Sequence, residues 1–177
     1  MCRLRILSFW LLLSSLPAMA QIGAYAEYSA AKLNAPSANW VNGPVVGIYG
    51  ERWHLGALHP GLDARGSFLY GGESTHWNSF LGGPRLAVQP VDFPLHPYVE
   101  GLLGMGNYQS GAQTKPGMGP GGVSYNKFEY QILGGMDIEM TPRFDWRVVE
   151  FSMSQISDNG TASHPREVSM GLVVHLP

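Results

Sequence analysis

From Glu167 to Leu176 the chain alternates without a break. Val168, Met170, Leu172, Val174 and Leu176 fall on one face, and Glu167, Ser169, Gly171, Val173 and His175 on the other. Period-two patterning of this kind predicts a β-strand with one apolar and one mostly polar side. The same alternation, punctuated by turn residues, predicts eight strands: Gly23–Lys32, Gly43–Glu51, Leu58–Tyr70, Asn78–Gln89, Pro97–Tyr108, Tyr125–Met140, Arg143–Ser154 and Arg166–Leu176. The sixth is the most regular, with Phe128, Tyr130, Ile132, Gly134, Met136, Ile138 and Met140 opposite Glu129, Gln131, Asp137 and Glu139. Two fit poorly. Val45 and Val46 fall on opposite faces of the second, and Arg147 in the seventh is in phase with Val149, Phe151 and Met153. A bulge or an arginine at a membrane interface would explain the latter. Pro84, inside the fourth strand, predicts a bulge at Gly82-Gly83.

The connections carry a second pattern. The odd ones are Leu33–Asn42, Gly71–Trp77, Gln109–Ser124 and Gln155–Pro165, and the even ones are Arg52–Ala57, Pro90–His96 and Thr141-Pro142. Odd connections are longer on average, and the third is a polar Gly/Pro-rich loop that no packed core holds. A transmembrane barrel has short periplasmic turns and longer outer loops, whereas a soluble sandwich has no reason for such parity. Trp40, Trp77, Tyr108 and Tyr125 flank the long connections, and Trp53, Phe93, Tyr98, Phe144 and Trp146 the short ones, as two interfacial girdles would.

Composition points the same way. Charged residues are 14% of the chain, against roughly 25% in a typical soluble domain. Met1–Ala20 has a basic start, an apolar stretch from Ile6 to Leu16 and the small-x-small site Ala18-Met19-Ala20, so residues 1–20 are expected to be a secretory signal peptide and 21–177 one barrel domain. Cys2 falls in that segment, which leaves residues 21–177 without a disulfide or thiolate site. Without Arg3 and Arg5, nine basic face thirteen acidic residues, a formal charge of −4, the wrong sign for a nucleic-acid binder.

Five stretches make a resemblance specific. Gly134–Phe151, followed by a polar loop and Arg166–Leu176, resembles the final hairpins of the small outer-membrane β-barrel proteins of the OmpA/OmpX type. Gly61–Phe68, Gly83–Val88 and Pro97–Gly104 resemble middle strands of the same family. Ser169, Gly171, Val174 and Leu176 have the form of its barrel-closing C-terminal signal, although Pro177 stands where such chains usually end on an aromatic residue. The resemblance implies an all-β, eight-stranded, antiparallel, up-and-down transmembrane barrel in the outer membrane of a Gram-negative-type cell. Its implied partners are outer-membrane lipid and lipopolysaccharide, the barrel-assembly machinery and an unknown surface ligand, and it is expected to be a monomer. No cofactor is implied.

Eight strands enclose a lumen just wide enough for side chains to fill, so no open pore is expected. Asp63, Arg65, Arg85, Glu100, Glu129, Asp137 and Glu139 are the predicted lumen network, joined by Glu27 and Glu167, with Arg65 and Arg85 each bridging acids from neighbouring strands. Catalytic and metal sites are not expected, because the six histidines show no ligand spacing. Two alternatives stay open. A soluble lipocalin-like barrel would turn the apolar face of the sixth strand inward around a small ligand. A lipid A deacylase-like barrel would use Ser157, but Gln155 occupies the place of the required histidine base.

Overall fold

The computed structural model of the chain describes residues 21–33, 40–53, 55–72, 75–90, 93–109, 125–158 and 161–176. The predicted signal peptide lies outside them. The strands are β1 (Gln21–Lys32), β2 (Trp40–Glu51), β3 (Leu58–Gly71), β4 (His76–Val88), β5 (Leu95–Gln109), β6 (Tyr125–Thr141), β7 (Phe144–Asp158), β8 (Thr161–Ser163) and β9 (Arg166–Leu176). Each strand from β1 to β7 pairs antiparallel with the next, and β9 joins β7 to β1, so the sheet closes on itself. The three-residue β8 pairs only with β7 and continues the line of β9, from which His164-Pro165 separates it. The result is a closed, all-antiparallel, eight-stranded barrel. Closure satisfies every strand edge, which a sheet immersed in lipid requires.

Alternation decides which residues the wall turns outward. On β6, Phe128, Tyr130, Ile132 and Met140 are exposed while Glu129, Gln131 and Asp137 are buried. On β9, Val168 to Leu176 face outward at every second residue, and Glu167, Ser169 and Val173 are buried. A barrel with an apolar exterior and an ionic interior is inside-out relative to a soluble domain. That excludes the lipocalin-like arrangement, whose apolar residues would line a cavity.

The seventh strand resolves into two phases. Asp145 and Arg147 point inward, then Glu150, Ser152 and Ser154 do, and the intervening Val148-Val149 absorbs the change. Register shifts lie between Arg147 and Glu150 against β9, and between Met136 and Asp137 against β6. A bulge therefore carries Arg147 into the lumen, and the interfacial alternative falls away. No bulge occurs at Gly82-Gly83. The β4–β5 register is constant, and the ladder only skips from Gly82↔Leu103 to Arg85↔Glu100, because Pro84 has no N–H to donate.

The hairpin ends differ from the expected parity in two places, and one is the end of β7, where β8 pairs back so that only residues 159–160 lie between those two strands. β3 and β4 extend until only residues 72–75 connect them, with Gly71 N–H donating to the Thr75 carbonyl at 2.8 Å. Leu55 and Leu58 close a tight turn over Gly56-Ala57, where Gly56 takes a φ of 67°. Of the proposed girdle aromatics, Trp40, Trp53, Phe93, Phe144 and Trp146 are exposed on the wall or its rims. Trp77 and Tyr98 are buried in the lumen instead, since they fall on the inward phase of β4 and β5. The side chains of Tyr108 and Tyr125 lie outside the described residues.

Candidate functional site

The lumen is packed by charge. Among the described residues, nine acids (Glu27, Glu51, Asp63, Glu100, Glu129, Asp137, Asp145, Glu150, Glu167) and three arginines (Arg65, Arg85, Arg147) are buried. Most of their ion pairs reach from one strand to another. Arg65 donates from Nη2 to Glu27 at 3.2 Å and to Glu150 at 2.8 Å. Arg85 donates from Nε to Glu51 at 3.0 Å, from Nη1 to Glu100, and from Nη2 to Asp137 at 3.5 Å. Arg147 grips both oxygens of Asp137, at 2.8 and 3.1 Å, and turns Nη1 to Glu27 at 2.6 Å. Arg85–Glu100 and Arg147–Asp137 join neighbouring strands, while the Arg65 bridges, Arg85–Glu51, Arg85–Asp137 and Arg147–Glu27 span farther than the expected adjacent pairs.

Glycine makes those spans possible. In the cross-strand rows, Gly171 lies between Glu27 and Arg147, and Gly61 between Glu51 and Arg85. Gly135 likewise separates Tyr98 from Glu150, whose contact is a 2.6 Å hydrogen bond from the tyrosine hydroxyl. A Cβ at Gly171 would collide with the Ala26 carbonyl and the Glu27 side chain, and one at Gly135 with the Tyr98 ring. Each missing side chain opens a lane over which a long neighbour lies.

Tyrosines complete the plug. The Arg85 guanidinium is 4.1 Å from the Tyr49 ring centre and 3.9 Å from that of Tyr98. Arg147 is also near Tyr98, at 4.5 Å from its ring centre, and 4.4 Å from that of Tyr25. Tyr49, Arg85, Tyr98, Arg147 and Tyr25 thus form one alternating stack of rings and guanidiniums, an arrangement that suits arginine's planar, weakly hydrated head. Tyr25 also donates to Asp63 at 2.9 Å.

Beyond the stack, acids are held by neutral donors. Glu129 accepts from the Trp77 indole at 3.1 Å. Glu167 accepts from Ser29, and from Gln131 and Ser152 at 3.1 Å each. At the opposite end, where both described termini lie, Asp145 meets His175 Nε2 at 2.8 Å and His96 lies 3.9 Å away.

The predicted residues Asp63, Arg65, Arg85, Glu100, Glu129 and Asp137 are therefore all buried in the lumen, as are Glu27 and Glu167. Glu139 is not. It has the inward phase but stands exposed beside the β6–β7 turn, past the end of the packed interior. The pattern missed Glu51, Asp145, Arg147 and Glu150 and the tyrosines. For the β7 residues a signal existed: two polar alternations out of step across Val148-Val149 mark a bulge.

The closing residues Ser169, Gly171, Val174 and Leu176 sit on β9 against β1, with Ser169 opposite Ser29, Val174 opposite Ala24 and Leu176 opposite Ile22. On the outer wall Gln155 accepts a hydrogen bond from the Tyr130 hydroxyl. The Ser157 side chain lies outside the described residues. Among the described residues, no group of three or more His, Asp or Glu is placed to hold a metal.

Comparison with solved structures defines the class. Neisserial surface protein A matches with a TM-score of 0.60 and 17% identity, over 89% of this chain and 99% of that one. Ail, the attachment invasion locus protein of Yersinia pestis, matches at 0.53 and 14%, over 89% and 97%. The N-terminal β-barrel domain of Pseudomonas aeruginosa OprF matches at 0.50 and 11%, over 89% and 100%. At these identities the likeness is one of fold, and that fold is the small eight-stranded outer-membrane β-barrel. No protein-family profile and no curated sequence matches the chain.

Proposed function

We propose that this chain is an integral outer-membrane barrel that works as a structural or surface-interaction protein, not as a pore or an enzyme. The observation that carries this is the inverted wall. Leu62, Phe80, Leu103, Ile132 and Phe151 are each about 60% exposed on the outside, while nine carboxylates are buried inside. In water that distribution would be strongly unfavourable, whereas in a bilayer it is what the solvent selects. The strands, of 11 to 17 residues β8 aside, reach or exceed the roughly 9–11 that a tilted strand needs to cross. Residues 1–20 serve as the cleaved export signal, the assembly machinery reads Ser169, Gly171, Val174 and Leu176, and the protein acts as a monomer.

The turns Gly56-Ala57 and Pro142-Arg143, with both described termini, face the periplasm in this reading, and the ends of β1 and β9 at Lys32 and Arg166 face outward. The surface partner would meet the outer end. Fractionation of cells followed by electrophoresis of heated and unheated samples tests the placement. The protein should sediment with outer membrane and migrate differently when boiled. Recovery in the soluble fraction without detergent would overturn it.

A further inference from the structure

Two cations oppose each other on the outer wall. In the β1–β9 ladder Lys32 is the register partner of Arg166, and both are exposed on the outward phase. Opposed residues in an antiparallel pair hold their Cβ atoms about 4.5–5.5 Å apart, and like charges there repel. Neither has an acid partner among the described residues. Glu167, next to Arg166, points into the lumen and is already engaged by Ser29, Gln131 and Ser152.

Beside Arg166 the wall is hollow. Arg166, Met153 and Ile132 form one outward row across β9, β7 and β6, and Val168, Phe151, Gly134 and Val99 form the next row across β9, β7, β6 and β5. Gly134 contributes no side chain, which leaves a largely apolar groove of about 460 Å³ with Arg166 at its outer end. An anion would relieve the Lys32–Arg166 repulsion, and the planar guanidinium suits phosphate oxygens in particular. An apolar tail would fill the groove. A free inorganic anion would satisfy the first feature only.

From this juxtaposition we propose that Lys32, Arg166 and the groove through Gly134 form a seat for a phosphorylated, acylated lipid of the outer leaflet, of the lipid A type. The proposal rests on the membrane placement above. The phosphate meets the two cations at the headgroup level, and one acyl chain lies over Gly134 between Phe151 and Val99.

The test uses residues 21–177 folded in neutral detergent and incubated with bis-phosphorylated lipid A, its dephosphorylated form, phosphatidylcholine or inorganic phosphate, with retained lipid read by native mass spectrometry. Phosphorylated lipid A should be retained, and Lys32→Gln and Arg166→Gln should each weaken retention about fivefold. Gly134→Leu should also weaken it with both cations intact. A Cβ there has nothing nearer than the Tyr98 carbonyl at 3.6 Å, so this variant fills the groove without straining the wall. Arg143→Gln, which removes an exposed cation at the other end of the barrel, should change nothing. Retention of lipid A by Arg166→Gln at the wild-type level would overturn the proposal. So would displacement of lipid A by inorganic phosphate at equal concentration, which would mark a simple anion site. Every variant is first checked for the heat-dependent mobility shift, and if Arg166→Gln fails to fold, Lys32→Gln and Gly134→Leu decide the matter. A wild-type protein that shifts on boiling but retains no lipid A refutes the seat alone. One that shows no shift refutes the membrane reading.

Discussion

Replacing Arg147 with methionine should be among the most damaging single changes in the lumen. Arg147 is completely buried, chelates Asp137 through two hydrogen bonds and holds Glu27 at 2.6 Å. Methionine fills a similar volume but supplies no charge. Asp137 would keep only Arg85, at 3.5 Å, and Glu27 only Arg65, at 3.2 Å. Five carboxylates now shared by three guanidiniums would be left to two. Removing one member of a buried ion network costs about 3–5 kcal/mol, because the remaining charges stay desolvated. The stack would also lose the cation between Tyr98 and Tyr25, at about 0.5–2 kcal/mol. Equilibrium denaturation of the folded barrel in vesicles, followed by tryptophan fluorescence and by the mobility shift, measures the loss. Arg147→Lys should recover only part, since an ammonium cannot chelate Asp137 with a planar fork. An Arg147→Met protein that unfolds at the wild-type denaturant concentration would refute the network as the source of stability.

Gly171→Ala should slow folding and lower the unfolding midpoint, because its Cβ collides with the Ala26 carbonyl and with Glu27 at the closing seam. Gly101→Ala, where nothing lies within 4 Å, should shift the midpoint by less than about 0.5 kcal/mol in the same denaturation assay. Glu129→Gln should cost little or nothing, since Glu129 has an indole donor and, among the described residues, no arginine partner. Glu150→Gln, which disturbs contacts with Arg65, Arg147 and Tyr98, should cost about 3 kcal/mol, and equal losses for the two would sink the distinction drawn between them. Vesicles loaded with folded protein should swell in sugar or salt no faster than empty ones.

Much of the wall was legible because alternation is a local signal. Strand β6 and strand β9 announce their faces within a dozen residues, and the structure follows both. What alternation cannot carry is a change of phase. Asp145 and Arg147 belong to one phase and Glu150, Ser152 and Ser154 to the other, so one phase imposed on the whole strand puts Arg147 among lipid-facing residues. Glu139 shows the complementary failure. Phase says which way a side chain points but not where along the strand the enclosed interior ends. Pro84 departs from its predicted bulge for another reason: a proline needs only a missing ladder bond, and the β4–β5 pairing drops that bond without adding a residue. The partners of Arg65 lie on β1 and β7, a closure relation that no local pattern contains.

The lumen also bears on why the barrel should not conduct. A passage would have to cross the stack from Tyr49 through Arg85, Tyr98 and Arg147 to Tyr25, whose members come from β1, β2, β4, β5 and β7. No single hinge moves such a layer, because each guanidinium is tied to carboxylates on several walls and each lane over a glycine is already filled. Moving Arg147 aside would leave Asp137 with Arg85 alone and Glu27 with Arg65 alone, and moving Arg85 aside would take from Glu51 and Glu100 the arginine each is paired with. Each displacement carries the cost of a buried uncompensated charge, several kcal/mol, before any solute gains a contact. The acids outside the stack sharpen the point: Glu129 and Glu167 are held by an indole, an amide and hydroxyls, which fix them in place without lining a cationic path. In the proposed reading, selectivity therefore lies on the outer surface, at Lys32, Arg166 and the Gly134 groove, and not along the barrel axis.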